Sequence, residues 1–335
     1  MKKKSIVFLL LISFVTLILA GCGGEKKAAA PEKKNEPVVL AYTPFTGYGA
    51  LFVAKEKGFF KNKGVDVELQ AIEGIGDRKQ ALVAGKLQGM TATIDVAVSA
   101  VGEGVPLKAV WAFDASNGAD GIIVKSGKGI EKIADLKGRE VAFHRGSASH
   151  FLLTTLLEKA GLTDNDIKPV DMKASEAASA FMAGKVDAAV TWEPYLSKAV
   201  AGGDVLLGST KETPGLIADV LTLREDFVKQ NPDKAQAIVA ALSEATAYMA
   251  KNPEETSKIL AAAFKMKPED VNADIKTLKF YDLKENQAFF GTKEKPGPAY
   301  EVGKRAGEFY VKLKVLQKAP DLTAFIDSSF IEKTK

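Results

Sequence analysis

The stretch Leu82-Val83-Ala84-Gly85-Lys86-Leu87-Gln88-Gly89-Met90 is matched 99 residues later by Phe181-Met182-Ala183-Gly184-Lys185-Val186-Asp187-Ala188-Ala189. Each copy reads as a helix end followed by a strand. A chance likeness of two helix ends is the alternative, but the flanks agree as well. Ala41-Tyr42 precedes a polar loop and a helix, as Ala142-Phe143 does at nearly the same offset. The chain therefore reads as two similar lobes.

Around the repeat, short apolar and β-branched runs alternate with helix-like stretches: Val38 to Tyr42, Val65 to Ile72, Met90 to Ile94, Ala109 to Phe113, Val141 to Phe143, Ile167 to Met172 and Ala188 to Trp192. That alternation predicts an α/β fold with mainly parallel sheets. Leu216 to Thr222 reads as a strand returning to the first lobe, and everything from Leu223 onward as helical. One such helix starts at Asn231-Pro232 and carries the stripe Ala235, Ile238, Val239, Leu242, Ala245 and Met249. Others are expected at Pro253 to Phe264, Pro268 to Leu278, Pro298 to Leu316 and Leu322 to Ile331. The expected divisions are residues 1–21, 22–36, a first lobe of 37–121 completed by 222–335, and a second lobe of 122–221 with crossover strands.

Residues 1–21 have the order of a secretory signal: Lys2, Lys3 and Lys4, an apolar run from Ile6 to Ala20, then small residues. Their end, Leu19-Ala20-Gly21-Cys22, resembles the lipobox of bacterial lipoproteins, which implies cleavage before Cys22 and a lipid on its thiol. Cys22 is the only cysteine, so neither disulfides nor thiolate chemistry are expected elsewhere. Gly23 to Glu36 lacks apolar periodicity and reads as a tether of about 20 Å. The formal charge of +4 falls to +1 once Lys2, Lys3 and Lys4 leave, 43 basic residues against 42 acidic. Nothing points to nucleic acid.

In open α/β sheets ligands bind beyond the carboxyl ends of strands, and the seam between two lobes is the default pocket. The loop after each lobe's first strand opens a helix whose free N–H groups suit an anion. These loops nominate Thr46 and Tyr48 in the first lobe and Ser147, Ser149 and His150 in the second. Ser147 reads equally well as a plain N-cap. The repeat itself leads into Thr93-Ile94-Asp95 and Trp192-Glu193-Pro194, nominating Thr93, Asp95, Trp192 and Glu193. Trp192 either covers part of a ligand or closes a lobe core, and Glu193 accepts from an ammonium or hydroxyl. Phe113, Asp114, Asn117 and Asp219 lie at the crossings, where they serve as hinge or clamp. Neither His144 nor His150 has companions at metal-ligand spacing, so no metal and no cofactor is expected.

These features resemble the nitrate, taurine and aliphatic sulfonate type of periplasmic binding protein, the two-lobed class with two crossover strands. Its marks are Gly49-Ala50-Leu51-Phe52-Val53-Ala54-Lys55-Glu56-Lys57-Gly58-Phe59-Phe60, the turn Ala134-Asp135-Leu136-Lys137-Gly138, and Ala183 to Ala188 leading into Trp192-Glu193-Pro194. The resemblance covers essentially the whole mature chain. It implies a monomer that captures a small molecule by lobe closure and passes it to the permease and ATPase of an ABC importer, without catalysis. Asp95, Asp114, Glu193 and Asp219 would repel a bare anion such as nitrate, so a zwitterion like taurine is the expected ligand. A pyrimidine or another amine-bearing heterocycle is the runner-up. Pyrimidine synthases of similar fold depend on a cysteine cluster that is missing here. An adhesin or sensor domain is the remaining alternative.

Overall fold

The computed structural model describes residues 36–335; the signal segment, Cys22 and the tether up to residue 35 lie outside them. Eleven strands follow in chain order: β1 Val38–Tyr42, β2 Val67–Ala71, β3 Gly89–Thr93, β4 Leu107–Ser116, β5 Asp120–Val124, β6 Glu140–Phe143, β7 Lys168–Asp171, β8 Ala188–Trp192, β9 Val205–Ser209, β10 Ala218–Arg224 and β11 Leu278–Phe280. They form a six-stranded sheet ordered β11-β4-β10-β3-β1-β2 and a five-stranded sheet ordered β7-β6-β8-β5-β9. Helices cover both, as an α/β fold of two similar lobes requires.

The parallel pattern is the core of each lobe. β1 runs parallel to β2 and β3, and β6 to β7 and β8. The repeat is in register, because Leu40 faces Gly89 as Val141 faces Ala188. Each copy closes its helix identically. Gly85 and Gly184 take φ +73 and +72, a left-handed turn open to glycine. The next amide then reaches back across it, Lys86 N–H to Ala81 O and Lys185 N–H to Ala180 O, both 2.9 Å. Leu87 and Val186 follow at once into the core.

Beside each parallel core lies a strand that has just crossed from the other lobe, β10 next to β3 and β5 next to β8, both antiparallel. The chain changes sheets between Ser116 and Asp120 and again between Ser209 and Ala218, whereas the sequence reading divides at Gly121 and Leu221. The returning strand begins at Ala218, not Leu216. The expectation that everything after Leu223 is helical fails at β11. The helix expected over Pro268 to Leu278 stops at Ile275, and Leu278 begins a strand that adds to the free edge of β4. The helix Pro232–Lys251 buries its whole predicted stripe.

Candidate functional site

A cavity of about 110 Å³ opens between the two sheets, at the carboxyl ends of their parallel strands, where such folds bind ligands. Tyr48, Arg78, Thr93 and Asp219 wall it from the first lobe, and Asp120, His144, Ser147 and Trp192 from the second. The two lobes contribute equivalent positions. Asp219, near the start of β10, faces Thr93 at the end of β3; Asp120, at the start of β5, faces Trp192 at the end of β8.

Five of the residues nominated from sequence line this cavity: Tyr48, Thr93, Ser147, Trp192 and Asp219. The others stand behind them or apart. Thr46 is buried in the same short helix as Tyr48, and Phe113 packs edge-on against the Tyr48 ring at 5.4 Å. Asp114 is the cross-strand partner of Asp219. Asp95 sits in the first turn of the helix Ile94–Gly102, against the Tyr310 hydroxyl at 3.2 Å. Asn117 is exposed at the crossing and donates its backbone N–H to Thr277 O at 2.8 Å. Ser149 and His150 are fully buried within the helix Ala148–Lys159. The His150 ring lies 4.7 Å from Phe143 and its Nε2 is 2.9 Å from Asp164. Glu193 turns away to cap the next helix, accepting from Ser197 N–H at 3.0 Å and Ser197 Oγ at 2.8 Å. Both of its oxygens are thereby occupied.

Sequence reasoning missed Arg78, Asp120 and Lys173, which line the cavity together with His144 at the start of the second lobe's loop. Arg78 had a signal. Its repeat counterpart, 99 residues on, is Ala177, so one lobe places a cation where the other buries a methyl group. Arg78 is only 5% exposed; its guanidinium donates through Nη1 to the Thr91 carbonyl and leaves Nε unpartnered.

The electrostatics follow from four buried aspartates, of which Asp219 feels the Arg78 guanidinium. Burial first, and then the charges of Asp120 and Asp95, push Asp219 up to about 7, against the pull of the Tyr48 hydroxyl and Arg78. Asp120 rises to about 6 through burial and the charges of Asp95 and Glu193. Burial takes Asp95 to about 6. Asp114 is held well above the carboxylate range by burial and the neighbouring Asp219 and Asp120. Burial lowers Arg78, though a guanidinium stays charged in proteins. An anion finds Arg78 on one side and the amino end of the 148–159 helix on the other. A cation finds Asp219 and Asp120, and Trp192 offers an apolar wall.

The profile described as NMT1/THI5 like matches residues 46–256, more than half of the chain. The chain belongs to that family. Over 99% of its length this NMT1/THI5-like chain is 24% identical to a Bacillus subtilis (strain 168) protein, 96% of which is covered, provisionally named an aliphatic sulfonates-binding protein. Its fold matches the periplasmic aliphatic sulphonate binding protein of Escherichia coli with a TM-score of 0.74, at 22% identity over 88% of this chain and 93% of that one. It also matches the desulfurization enzyme DSZB with a TM-score of 0.64, at 18% identity over 88% and 98% of the two chains.

Proposed function

We propose that this chain is the extracytoplasmic solute-binding protein of an ABC importer, capturing a small sulfonate with an ammonium group, of the taurine type, by closing its lobes on the seam cavity. A lipid on Cys22 holds it at the membrane, and it acts as a monomer that hands its ligand to permease and ATPase subunits. The observation that carries this reading is the pairing of opposite charges in one small cavity, Arg78 and the 148–159 helix start against Asp219 and Asp120. A sulfonate satisfies the donors; its ammonium satisfies carboxylates that otherwise face each other at considerable cost. Nitrate or sulfate leaves those carboxylates opposite an anion. The relatives named for sulfonate binding support the same class.

The binding reading is preferred to an enzyme of similar fold because the cavity offers no nucleophile with an oriented base. Ser147 Oγ donates to its own loop, at His144 O. The test is a thermal-shift screen with taurine, methanesulfonate, nitrate, sulfate, amino acids, pyrimidines and polyamines. Ligand at 100 times its dissociation constant adds about 2.7 kcal/mol of stability. Taurine should shift the midpoint most, and Trp192→Ala should remove most of that shift while leaving the unliganded midpoint nearly unchanged. A response confined to pyrimidines or polyamines overturns the sulfonate class, and chemical conversion of bound taurine, seen by mass spectrometry, overturns the binding role.

A further inference from the structure

Tyr310 stands where the two lobes meet. Its helix, Pro298–Lys312, packs along the first lobe's 94–102 helix. The residues around it reach the second lobe. The Phe309 ring lies 5.1 Å from both His150 and Phe151, and Lys312 pairs with Glu158 at 2.7 Å. Inside these contacts the Tyr310 hydroxyl lies 3.2 Å from Asp95 Oδ2 in the first lobe and 3.1 Å from the Gly146 carbonyl in the second.

A phenol has one hydrogen, and here it meets two acceptors. An ionised Asp95 takes it, because a charged acceptor makes the stronger bond. Gly146 O then faces only oxygen lone pairs. A protonated Asp95 instead donates its own hydrogen to Tyr310 Oη, and the Tyr310 hydrogen turns to Gly146 O. The other side of Gly146 is already fixed, since its N–H donates to His150 Nδ1 at 3.1 Å. That leaves His150 Nε2 to carry the ring proton toward Asp164. Ser147, on the cavity wall, is the next residue.

We propose that Tyr310 is a latch between the lobes, engaged when Asp95 is protonated and released when it ionises. It rests on the capture reading only where it touches ligand affinity. Asp95 has the Thr93 hydroxyl and Val96 N–H from its own turn and Tyr310 from the 298–312 helix. Its charge acts on Asp120 of β5 and Asp219 of β10, and Glu103 acts on Tyr310. With Asp95 pushed by burial to about 6, the change of state falls near neutral pH. Burial and Asp95 hold Tyr310 itself well above its ordinary range, so it remains a donor throughout.

Amide hydrogen exchange of the unliganded protein, corrected for intrinsic rates at pH 5 and pH 8, tests this without any ligand. Tyr310→Phe keeps the ring and removes the hydroxyl, and residues 144–151 should exchange about fivefold faster at pH 5. Asp95→Asn supplies a permanent donor to Tyr310 Oη, so the same segment should exchange more slowly than wild type at pH 8. Lys312→Glu, on the exposed edge of the same interface, should speed it and serves if Tyr310→Phe fails to fold. Unchanged exchange in Tyr310→Phe, or loosening by Asp95→Asn, overturns the latch. Titration with taurine supplies the link to capture, with Tyr310→Phe expected to weaken binding severalfold at pH 5. If taurine fails to bind the wild type, the sulfonate reading falls while the exchange data still judge the latch.

Discussion

The unliganded protein should lose stability as pH rises from 5 to 8, the reverse of what paired surface carboxylates produce. Asp219, Asp120 and Asp95 are raised to about 7, 6 and 6, so the folded state holds protons that the unfolded chain has released above about pH 4. Where the folded state binds more protons, stability falls with pH. For these three the loss begins near the unfolded value and is complete once pH passes about 7, while Asp274, also raised to about 7, and Asp114, held higher still, add to it. Each tenfold change in proton affinity is worth about 1.4 kcal/mol, and Asp219 holds its proton over about two of the pH units above 5, so it contributes roughly 3 kcal/mol to the loss in this window. At about 2–4 °C per kcal/mol for a large single folding unit, the midpoint should drop on the order of 10 °C. Asp164, Asp135 and Asp166 are lowered instead; their contribution is lost only as pH falls below about 4 and leaves this window clear. Thermal unfolding in matched ionic strength measures it. Asp219→Asn should reduce the slope without abolishing it, since Asp114, Asp274, Asp120 and Asp95 are raised as well, and a midpoint that is level or rising between pH 5 and 8 would refute the buried-acid account.

Three other outcomes follow. Taurine affinity should rise from pH 5 to 8 as its ammonium replaces the proton on Asp219, while methanesulfonate, which needs that carboxyl neutral, should bind more weakly over the same range; parallel profiles in calorimetry would count against an ammonium at Asp219. Gly89→Ala should destabilise by about 2 kcal/mol or more in urea unfolding, because a Cβ there comes 2.4 Å from the Thr222 carbonyl, a backbone atom of the crossing strand. Cys22→Ser should abolish acylation, and an unmodified mature terminus in the wild type, read by mass spectrometry, would remove the anchor from the proposal.

How far the fold could be read depended on what each strand packs against. β1 and β8 were read to the residue, since both are central, parallel and almost wholly apolar. β5 was missed although it sits inside its sheet, because it opens with Asp120-Gly121, a pair that by itself reads as a turn. Here the bare glycine is needed: a Cβ on Gly121 would come 2.8 Å from the Gly208 carbonyl of β9. β9 was missed because it is an edge strand, with Val205 and Leu206 largely exposed. β11 has three residues, too few for any periodicity, and exists because β4 offers a free edge. Among the site residues, Glu193 reads from sequence as a ligand contact, whereas in the structure both its oxygens accept from Ser197 of the following helix.

Asp219 and Asp120 show why one acid of the site was legible and its partner was not. In each lobe the strand arriving from the other lobe carries an aspartate opposite the last residue of the third parallel strand, Asp219 facing Thr93 and Asp120 facing Trp192. The two acids are thus equivalent by the same internal symmetry that the helix ends reveal. Yet Asp219 belongs to the returning strand and Asp120 to the outgoing one, so neither lies inside a repeat copy, and their kinship appears only when the crossings are drawn. Arg78 breaks that symmetry, since its counterpart is Ala177. The cavity thus carries two equivalent acids and bases at inequivalent positions, Arg78 from the first lobe and Lys173 from the second. Under the proposed capture reading, a ligand with one cationic and one anionic end finds a partner for each in this cavity.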